Sequence, residues 1–327
     1  MKTLIFTRRD VEKVLTPALA NRTVERAFRA YGQGEADMPP KSYLYFEKGD
    51  LRSMPAYIHG QGLAIAGIKS VTVHPDNALY KLPTVIAVII LVDPRNGFPL
   101  AVMDGTYLTS VRTGAAGALA VKLLARKDAK TAGFVGSGTQ ARAQLACIME
   151  VRKLTAIKVW QFGAKDEIAP AFRDWARRKY RLKTMLSPAI DEVTTGVDIL
   201  VTTTPSRIPL VNTVSPGTHI NAIGADAAGK EEINPKILKQ AKIVIDDWAQ
   251  ASHSGEINIP VSRRQMGRSD IHAALGDIVA GKKKGRTKNA EVTLFDSTGL
   301  AIQDVSCAYT VYRALRDRKG VKAIELF

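Results

Sequence analysis

The sequence predicts an α/β protein: a doubly wound parallel sheet in its second part, preceded by a smaller α+β portion. Three observations carry that prediction. From about residue 131, short apolar runs alternate with helical patterns. Most of those runs are nearly unbroken in Val, Ile and Leu, as strands are when helices cover both faces of their sheet. The first 110 residues differ, because strand-like runs follow one another there with Gly, Pro and Asn turns between them, the texture of a mostly antiparallel sheet.

In chain order, the first portion offers the strands KSYLYFE, GLAIAGIKSVTV, LPTVIAVIILVD and PLAVMDG. A helix over 110–126, SVRTGAAGALAVKLLAR, leads into the second portion. There the strand candidates are 131–136, 157–161, 198–204, 219–225, 242–247 and 292–296, with the helices TQARAQLACIMEVRK and EIAPAFRDWARRKY between the early ones. The last helix, AIQDVSCAYTVYRALRDR over 301–318, has apolar residues at helical spacing and is expected to return to the first portion. The domains are thus expected at 1–115 with 303–327, and at 116–302.

Composition narrows the function classes. At 327 residues with 46% hydrophobic and 24% charged residues, the chain is globular and long enough for two domains. No apolar run approaches the 18 or so residues of a membrane helix, and MKTLIFTRRD is too short in apolar residues for a signal peptide. A cytoplasmic protein is expected. Cys147 and Cys307, the only cysteines, fall in apolar helical patterns and read as buried inert thiols. His59, His74, His219, His253 and His272 form no ligand pair at helical spacing, so no metal is expected. The net charge of +16 raises nucleic acid as a partner, but the clusters RRKYRLK (177–183) and KKKGRTK (282–288) lack interleaved aromatics. They read as a solvated helix end and a surface loop, and neither a specific nucleic acid nor a membrane is expected as partner.

The stretch GFVGSGTQA carries the first chemistry. Gly136, Gly138, Thr139, Gln140 and Ala141 match G-x-G-x-x-G/A directly after a predicted strand and at the start of a predicted helix. The first glycine permits the tight turn, the second lets a pyrophosphate approach the backbone, and the helix N-terminus supplies free N–H groups. This is the fingerprint of a Rossmann dinucleotide domain. The second strand of such a domain normally ends in an acid that binds the adenosine ribose. Here Gln161 holds that place, with Lys165 nearby, so NADP stays possible beside the favoured NAD.

Basic residues mark the first portion: Lys41, Arg52, Lys69 and Arg112. Lys69 interrupts an otherwise apolar strand, where an ammonium needs a carboxylate partner or a lowered pKa. Arg112 is placed in the first turn of its helix, where a cation makes sense only if an anion binds there. In the second portion, Asp226 follows a strand's C-terminal end, the side on which ligands bind in an open α/β sheet; a helix cap is the alternative. Ser297, Thr298 and Gly299 follow the last strand, as neighbours of a nicotinamide ring or as the start of the final helix.

These stretches, with MPPKSYLYFEKGDLRSMPA, DILVTTTPSR, GTHINAIGADAAGKEE, KIVIDDWAQASHSGEIN and LFDSTGLAIQDV, resemble the ornithine cyclodeaminase/μ-crystallin family across nearly the whole chain, most closely its archaeal alanine dehydrogenase branch. The resemblance implies a homodimer, a Rossmann domain joined to a discontinuous substrate and dimerisation domain, and an active site between the two. It implies that Lys69 and Asp226 act on the substrate and that Lys41 and Arg112 hold its carboxylate. Thr113, the glycine loop, the Thr203–Thr204–Pro205 turn, Ala222 and Ser297 would line the cofactor. One position departs from the cyclodeaminases, where a glutamate receives ornithine's distal amine two residues before Met-Pro; here it is Arg52, whose charge would repel that amine.

The expected activity is therefore reversible oxidative deamination of L-alanine to pyruvate and ammonia, with Arg52 helping to anchor the small amino-acid or 2-oxo-acid substrate. Ketimine or imine reduction and ornithine cyclodeamination are the enzymatic alternatives. A binding protein without turnover is the remaining one.

Overall fold

A computed structural model describes residues 2–163 and 166–326. It divides into two compact units, Met1–Thr113 with Leu300–Phe327, and Gly114–Gly299.

The first unit begins with β1 (Thr3–Phe6), α1 (Arg8–Val14) and α2 (Pro17–Gln33). Thr16 caps α2 through the Leu19 N–H, Pro17 opens it, and Gly34 closes it in the left-handed conformation. Its inward stripe is Ala20, Val24, Ala27 and Phe28. Then come β2 (Ala36–Asp37), β3 (Ser42–Phe46), β4 (Gly49–Ile58), β5 (Ile65–Val73), β6 (Val85–Val92) and β7 (Pro99–Asp104).

Strand β4 was not foreseen, because Pro55 interrupts it and a proline has no N–H for a ladder. The pairing explains its tolerance: β3 covers Gly49 to Ser53 and β2 only Tyr57 and Ile58. Pro55 falls between them, opposite Ile68 of β5 on its other side. The same ladder sets Met54 opposite Lys69, so Lys69 and Arg52 both lie within strands.

Helix α3 spans Thr106–Leu124. It starts four residues earlier than its apolar pattern suggested, because Asp104 accepts the N–H groups of Thr106 (3.2 Å) and Tyr107 (3.0 Å). Arg112 is consequently almost two turns inside the helix, beyond the reach of its N-terminal dipole. The expectation that Arg112 meets an anion at a helix start is corrected; its anion is a side chain, described below.

The second unit contains β8 (Thr131–Val135), α4 (Thr139–Met149), β9 (Ala156–Trp160), α5 (Ile168–Tyr180), β10 (Lys183–Ser187), α6 (Ile190–Thr194), β11 (Ile199–Thr202) and β12 (His219–Ala222). It continues through α7 (Pro235–Gln240), β13 (Lys242–Ile245), α8 (Trp248–Ser254), α9 (Asn258–Ser262), β14 (Ile271–Ala274), α10 (Leu275–Val279) and β15 (Thr293–Asp296). The strands form one parallel sheet in the order β10-β9-β8-β11-β12-β15-β13-β14. Val135, Leu200, Ile220, Ile245 and Leu294 form its core. This is the doubly wound sheet read from the apolar runs. Edge strands β10 and β14 lack that signal, the first because it alternates and the second because Ile271–Ala274 holds no continuous Val, Ile or Leu run.

The loop KKKGRTK is more than a solvated surface. Arg286 sends Nε to the Leu124 carbonyl (2.6 Å), Nη1 to Glu291 (2.6 Å) and Nη2 to Gly217 (3.1 Å). It bolts three segments of the second unit together.

Returning to the first unit, α11 (Ala301–Leu315) and β16 (Lys322–Ile324) complete it. Its sheet runs β16-β1-β7-β6-β5-β4-β2, with β3 also on β4. Most neighbours are antiparallel, and β1 with β7 is the parallel exception. Helix α11 buries Ile302, Val305, Ala308, Val311 and Leu315, and with them Asp304. On β6, Val88 and Ile90 are exposed.

Candidate functional site

Four of the singled-out residues belong to the first unit's strands and helices. Lys69 is fully buried, at 0% exposure, on the inward face of β5. Its Nζ lies 2.8 Å from Oδ2 of Asp304 on α11. The other carboxylate oxygen, Oδ1, accepts from Nε of Arg112 at 2.9 Å, and Nη1 of Arg112 donates to Gln303 at 2.8 Å. One carboxylate thus bridges two buried cations.

The Lys69–Asp304 contact is thus a buried ion pair. Burial pushes Lys69 down to about 7, the positive charges of Arg112 and Lys41 push the same way, and Asp304 opposes them. Arg112 and Lys41 thus both act electrostatically on Lys69. A lysine poised near neutrality is suited to moving a proton.

Arg52 is also buried, two residues along β4 from the position opposite Lys69. Asp50 accepts from its Nε (2.8 Å) and Nη2 (3.0 Å), and the guanidinium lies 5.5 Å from the Tyr43 ring centre. This pairing neutralises much of the charge that was expected to repel a substrate amine. Arg52 therefore repels a second amine less than its bare charge implies. Thr113 donates its hydroxyl to the Thr109 carbonyl at 2.8 Å.

In the second unit, strand order reverses between β8 and β11, and ligands of open α/β sheets bind at the carboxyl ends at such a reversal. Gly136 follows β8 with φ of 99°, and a Cβ there would lie 2.6 Å from Oγ1 of Thr203, which follows β11. Gly138, before the first turn of α4, would meet nothing within 4 Å with an added Cβ, so its backbone is approachable. Gln161 directly follows β9, and its Nε2 is 3.5 Å from the Asp166 carbonyl. Lys165 lies outside the described residues. Ala222 ends β12 and Ser297 follows β15. Thr298 and Gly299 are held by their N–H groups on Asp246, at 2.6 and 2.8 Å.

A dinucleotide fits this edge by a test of unmet polarity. Buried polar atoms normally have partners. Yet Oε1 of Gln140, Oγ1 of Thr203 and Oγ of Ser297 are buried and have no hydrogen-bond partner among the described residues. All three were assigned to the cofactor. A polar ligand lying over the ends of β8, β11 and β15 would satisfy them. Among the described residues, no cluster of His, Cys, Asp or Glu could hold a metal, and no helix is long and apolar enough to cross a membrane.

Asp226 follows β12, and Oδ1 accepts from Nζ of Lys230 at 2.5 Å. It caps no helix, for the next one begins at Pro235 with Asn234 as its cap. Asp304, Asp50 and Lys230 were all missed as partners. For Asp304 a signal existed: it is the one acid of α11, set among Ile302, Val305 and Ala308 at helical spacing.

Fold, glycine turn and buried lysine together define a dinucleotide-fold protein carrying acid–base groups. The model of the ornithine cyclodeaminase/mu-crystallin family matches residues 1–319, and the chain belongs to that family. Alanine dehydrogenase of Archaeoglobus fulgidus is 50% identical over 325 residues, covering 98% of each chain. An archaeal alanine dehydrogenase dimer with bound NAD has a TM-score of 0.95 at 48% identity, over 100% of both chains. The Δ1-pyrroline-2-carboxylate reductase of Thermococcus litoralis, in complex with NADH and L-proline, has a TM-score of 0.93 at 36% identity, covering 99% of this chain and 100% of that one.

Proposed function

We propose that this protein is an NAD-dependent amino-acid dehydrogenase that interconverts L-alanine and water with pyruvate and ammonia. The observation that carries the proposal is the buried Lys69, held near neutrality beside Asp304 and Arg112. The 50% identity to an alanine dehydrogenase supports the choice of substrate.

Arg112 gives Nε and Nη1 to Asp304 and Gln303, which leaves Nη2 for the substrate carboxylate, with Lys41 as a second cation and Arg52 assisting. When bound, the nicotinamide supplies the acceptor for the hydride that leaves Cα. Gly136, Gly138, Thr139 and Gln140 hold the dinucleotide, Gln161 its adenosine ribose, and Thr113, Thr203, Thr204, Pro205, Ala222 and Ser297 the remainder. Loss of hydride from Cα yields an iminium, water adds to its carbon, and the C–N bond then breaks to release ammonia. Lys69 and Asp226 exchange the protons these steps require. The direction of each transfer follows from which of the two is protonated when substrate arrives.

The protein works as a homodimer in this reading. Val88 and Ile90, 45% and 37% exposed on β6, are two apolar side chains on the outer face of the first sheet that a second copy would cover. Light scattering should give the mass of two chains.

A second reading, reduction of a cyclic imino acid, is favoured by the likeness to the pyrroline-carboxylate reductase. The deciding experiment follows NADH absorbance with pyruvate plus ammonia and, separately, with Δ1-pyrroline-2-carboxylate; L-ornithine with NAD is a third arm, read by ammonia release because cyclodeamination returns its hydride and leaves no net NADH. Turnover of pyruvate plus ammonia is expected to lead. Efficient turnover of the cyclic imine alone would replace the first reading with the second.

A further inference from the structure

The second unit buries carboxylates that the proposed chemistry does not use. Glu232 accepts the Thr204 N–H on Oε1 at 2.6 Å and the Gly224 N–H on Oε2 at 2.9 Å. Thr204 follows β11 and Gly224 follows β12, so one carboxylate spans two neighbouring loops. Glu256 fixes Glu232 in turn, taking the N–H groups of Glu232 (2.8 Å) and Ile233 (2.6 Å) on its Oε1. Asp296, the last residue of β15, accepts the N–H of Ile257 next to Glu256 at 3.1 Å.

The backbone is shaped for these side chains. A Cβ on Gly224 would stand 2.4 Å from Oε2 of Glu232 and 2.3 Å from the Thr204 carbonyl. A Cβ on Gly255 would stand 2.5 Å from both carboxylate oxygens of Asp296. Among the described residues no cation lies at ion-pair distance from Glu232 or Glu256; both are fully buried, and burial raises both above the ordinary carboxyl range, Glu256 further because Glu232 and Asp296 adjoin it. Two acids buried without a cation are a poor device for stability alone, since apolar side chains of the same volume serve that purpose at least as well. What a carboxylate does that an apolar group cannot is take two N–H groups at a fixed separation.

We infer that Glu232 is a positioning residue for the dinucleotide: it holds Thr204 and Gly224 at one spacing and so fixes the loops that present Thr203 and Ala222. The inference rests on the proposed cofactor-dependent activity. Glutamine at 232 keeps the volume but turns an NH₂ toward one of the two N–H groups, so one clasp opens.

The test is fluorescence titration of wild type and Glu232→Gln with NADH, with KM measured for NADH and for pyruvate. The variant should bind NADH about tenfold more weakly, the loss expected for one opened buried hydrogen bond. Its KM for NADH should rise while that for pyruvate stays within about twofold. A merely structural role lowers the active fraction and moves neither KM. An unchanged NADH affinity in a folded Glu232→Gln protein overturns the inference and leaves the dehydrogenase reading intact, whereas failure of wild type to bind NADH overturns both. Should the variant not fold, hydrogen exchange on wild type without NADH decides. Slow exchange at the Thr204 and Gly224 amides supports the clasp, and exchange as fast as at exposed Arg207 overturns it.

Discussion

Asp304 places one carboxylate oxygen 2.8 Å from Nζ of Lys69 and the other 2.9 Å from Nε of Arg112, all of them buried. Two cations share one anion, so the group carries a positive charge that a substrate carboxylate would complete. Asp304 also raises the Lys69 pKa against the burial and the Arg112 charge that lower it to about 7. Asp304→Asn removes that support, so Lys69 should lose its proton at lower pH. The expected result is a fall in kcat/KM of at least about tenfold at neutral pH, with the limb of the pH profile near 7 moved to the acid side. A slower enzyme with that limb in place would reduce Asp304 to a structural part.

Lys69 itself should be dispensable for folding and costly to it. An ordinary lysine titrates at 10.5, whereas this one is pushed to about 7 in the folded chain. Between those values the unfolded chain binds the extra proton, so this group's penalty is absent above 10.5, grows as pH falls and is constant below about 7. Lys69→Met removes the penalty. Its stability advantage over the parent should be largest at and below pH 7 and shrink toward pH 10.5 by about 1.4 kcal/mol per pH unit. Urea unfolding of both proteins at several pH values measures this; parallel curves would deny the shift. The same variant should lose at least about 10²-fold in kcat.

The anomaly at Lys69 was legible in the sequence because a charge in an apolar strand breaks a local pattern. Its answer was not, since Asp304 stands 192 residues beyond even Arg112 and only the fold joins them. The doubly wound sheet was legible wherever strands are continuous apolar runs. It was illegible at β10, which alternates, and at β4, where Pro55 hides behind a gap in pairing. The glycine turn before α4 was legible from its motif, while Thr203 and Ser297, whose polar atoms are unmet among the described residues, were singled out by resemblance alone. The carboxylate clasp of Glu232 was not legible, because an acid that binds backbone has no partner side chain for a pattern to reveal.

Gln161 stands where an acid would select for the free ribose hydroxyl. An amide accepts that hydroxyl and does not repel a 2′-phosphate, so the wild type should tolerate NADPH beside NADH. Gln161→Asp should keep NADH binding within a few-fold and weaken NADPH at least about tenfold, a loss equivalent to about 1.4 kcal/mol of repulsion. Titration of both dinucleotides into both proteins checks it. Equal weakening of the two would mean that residue 161 does not meet the ribose.

The +16 charge invites a nucleic-acid partner, and Arg286 argues that part of it is architecture. Its guanidinium ties carbonyls from α3, the β15 approach and the Gly217 turn within the second unit, and burial lowers its pKa. Removing it takes away the donor to the Glu291 and Gly217 carbonyls and leaves the Leu124 carbonyl with the Thr293 hydroxyl alone. Arg286→Ala should therefore cost about 2–3 kcal/mol, in the upper range for a broken buried network. Neighbouring Lys282 and Lys283 are exposed, and their alanine variants should stay within about 0.5 kcal/mol of the parent. Thermal unfolding of the three variants separates the two classes. If the lysine variants lose as much as Arg286→Ala, the loop owes its basic residues to something other than the clamp at Arg286.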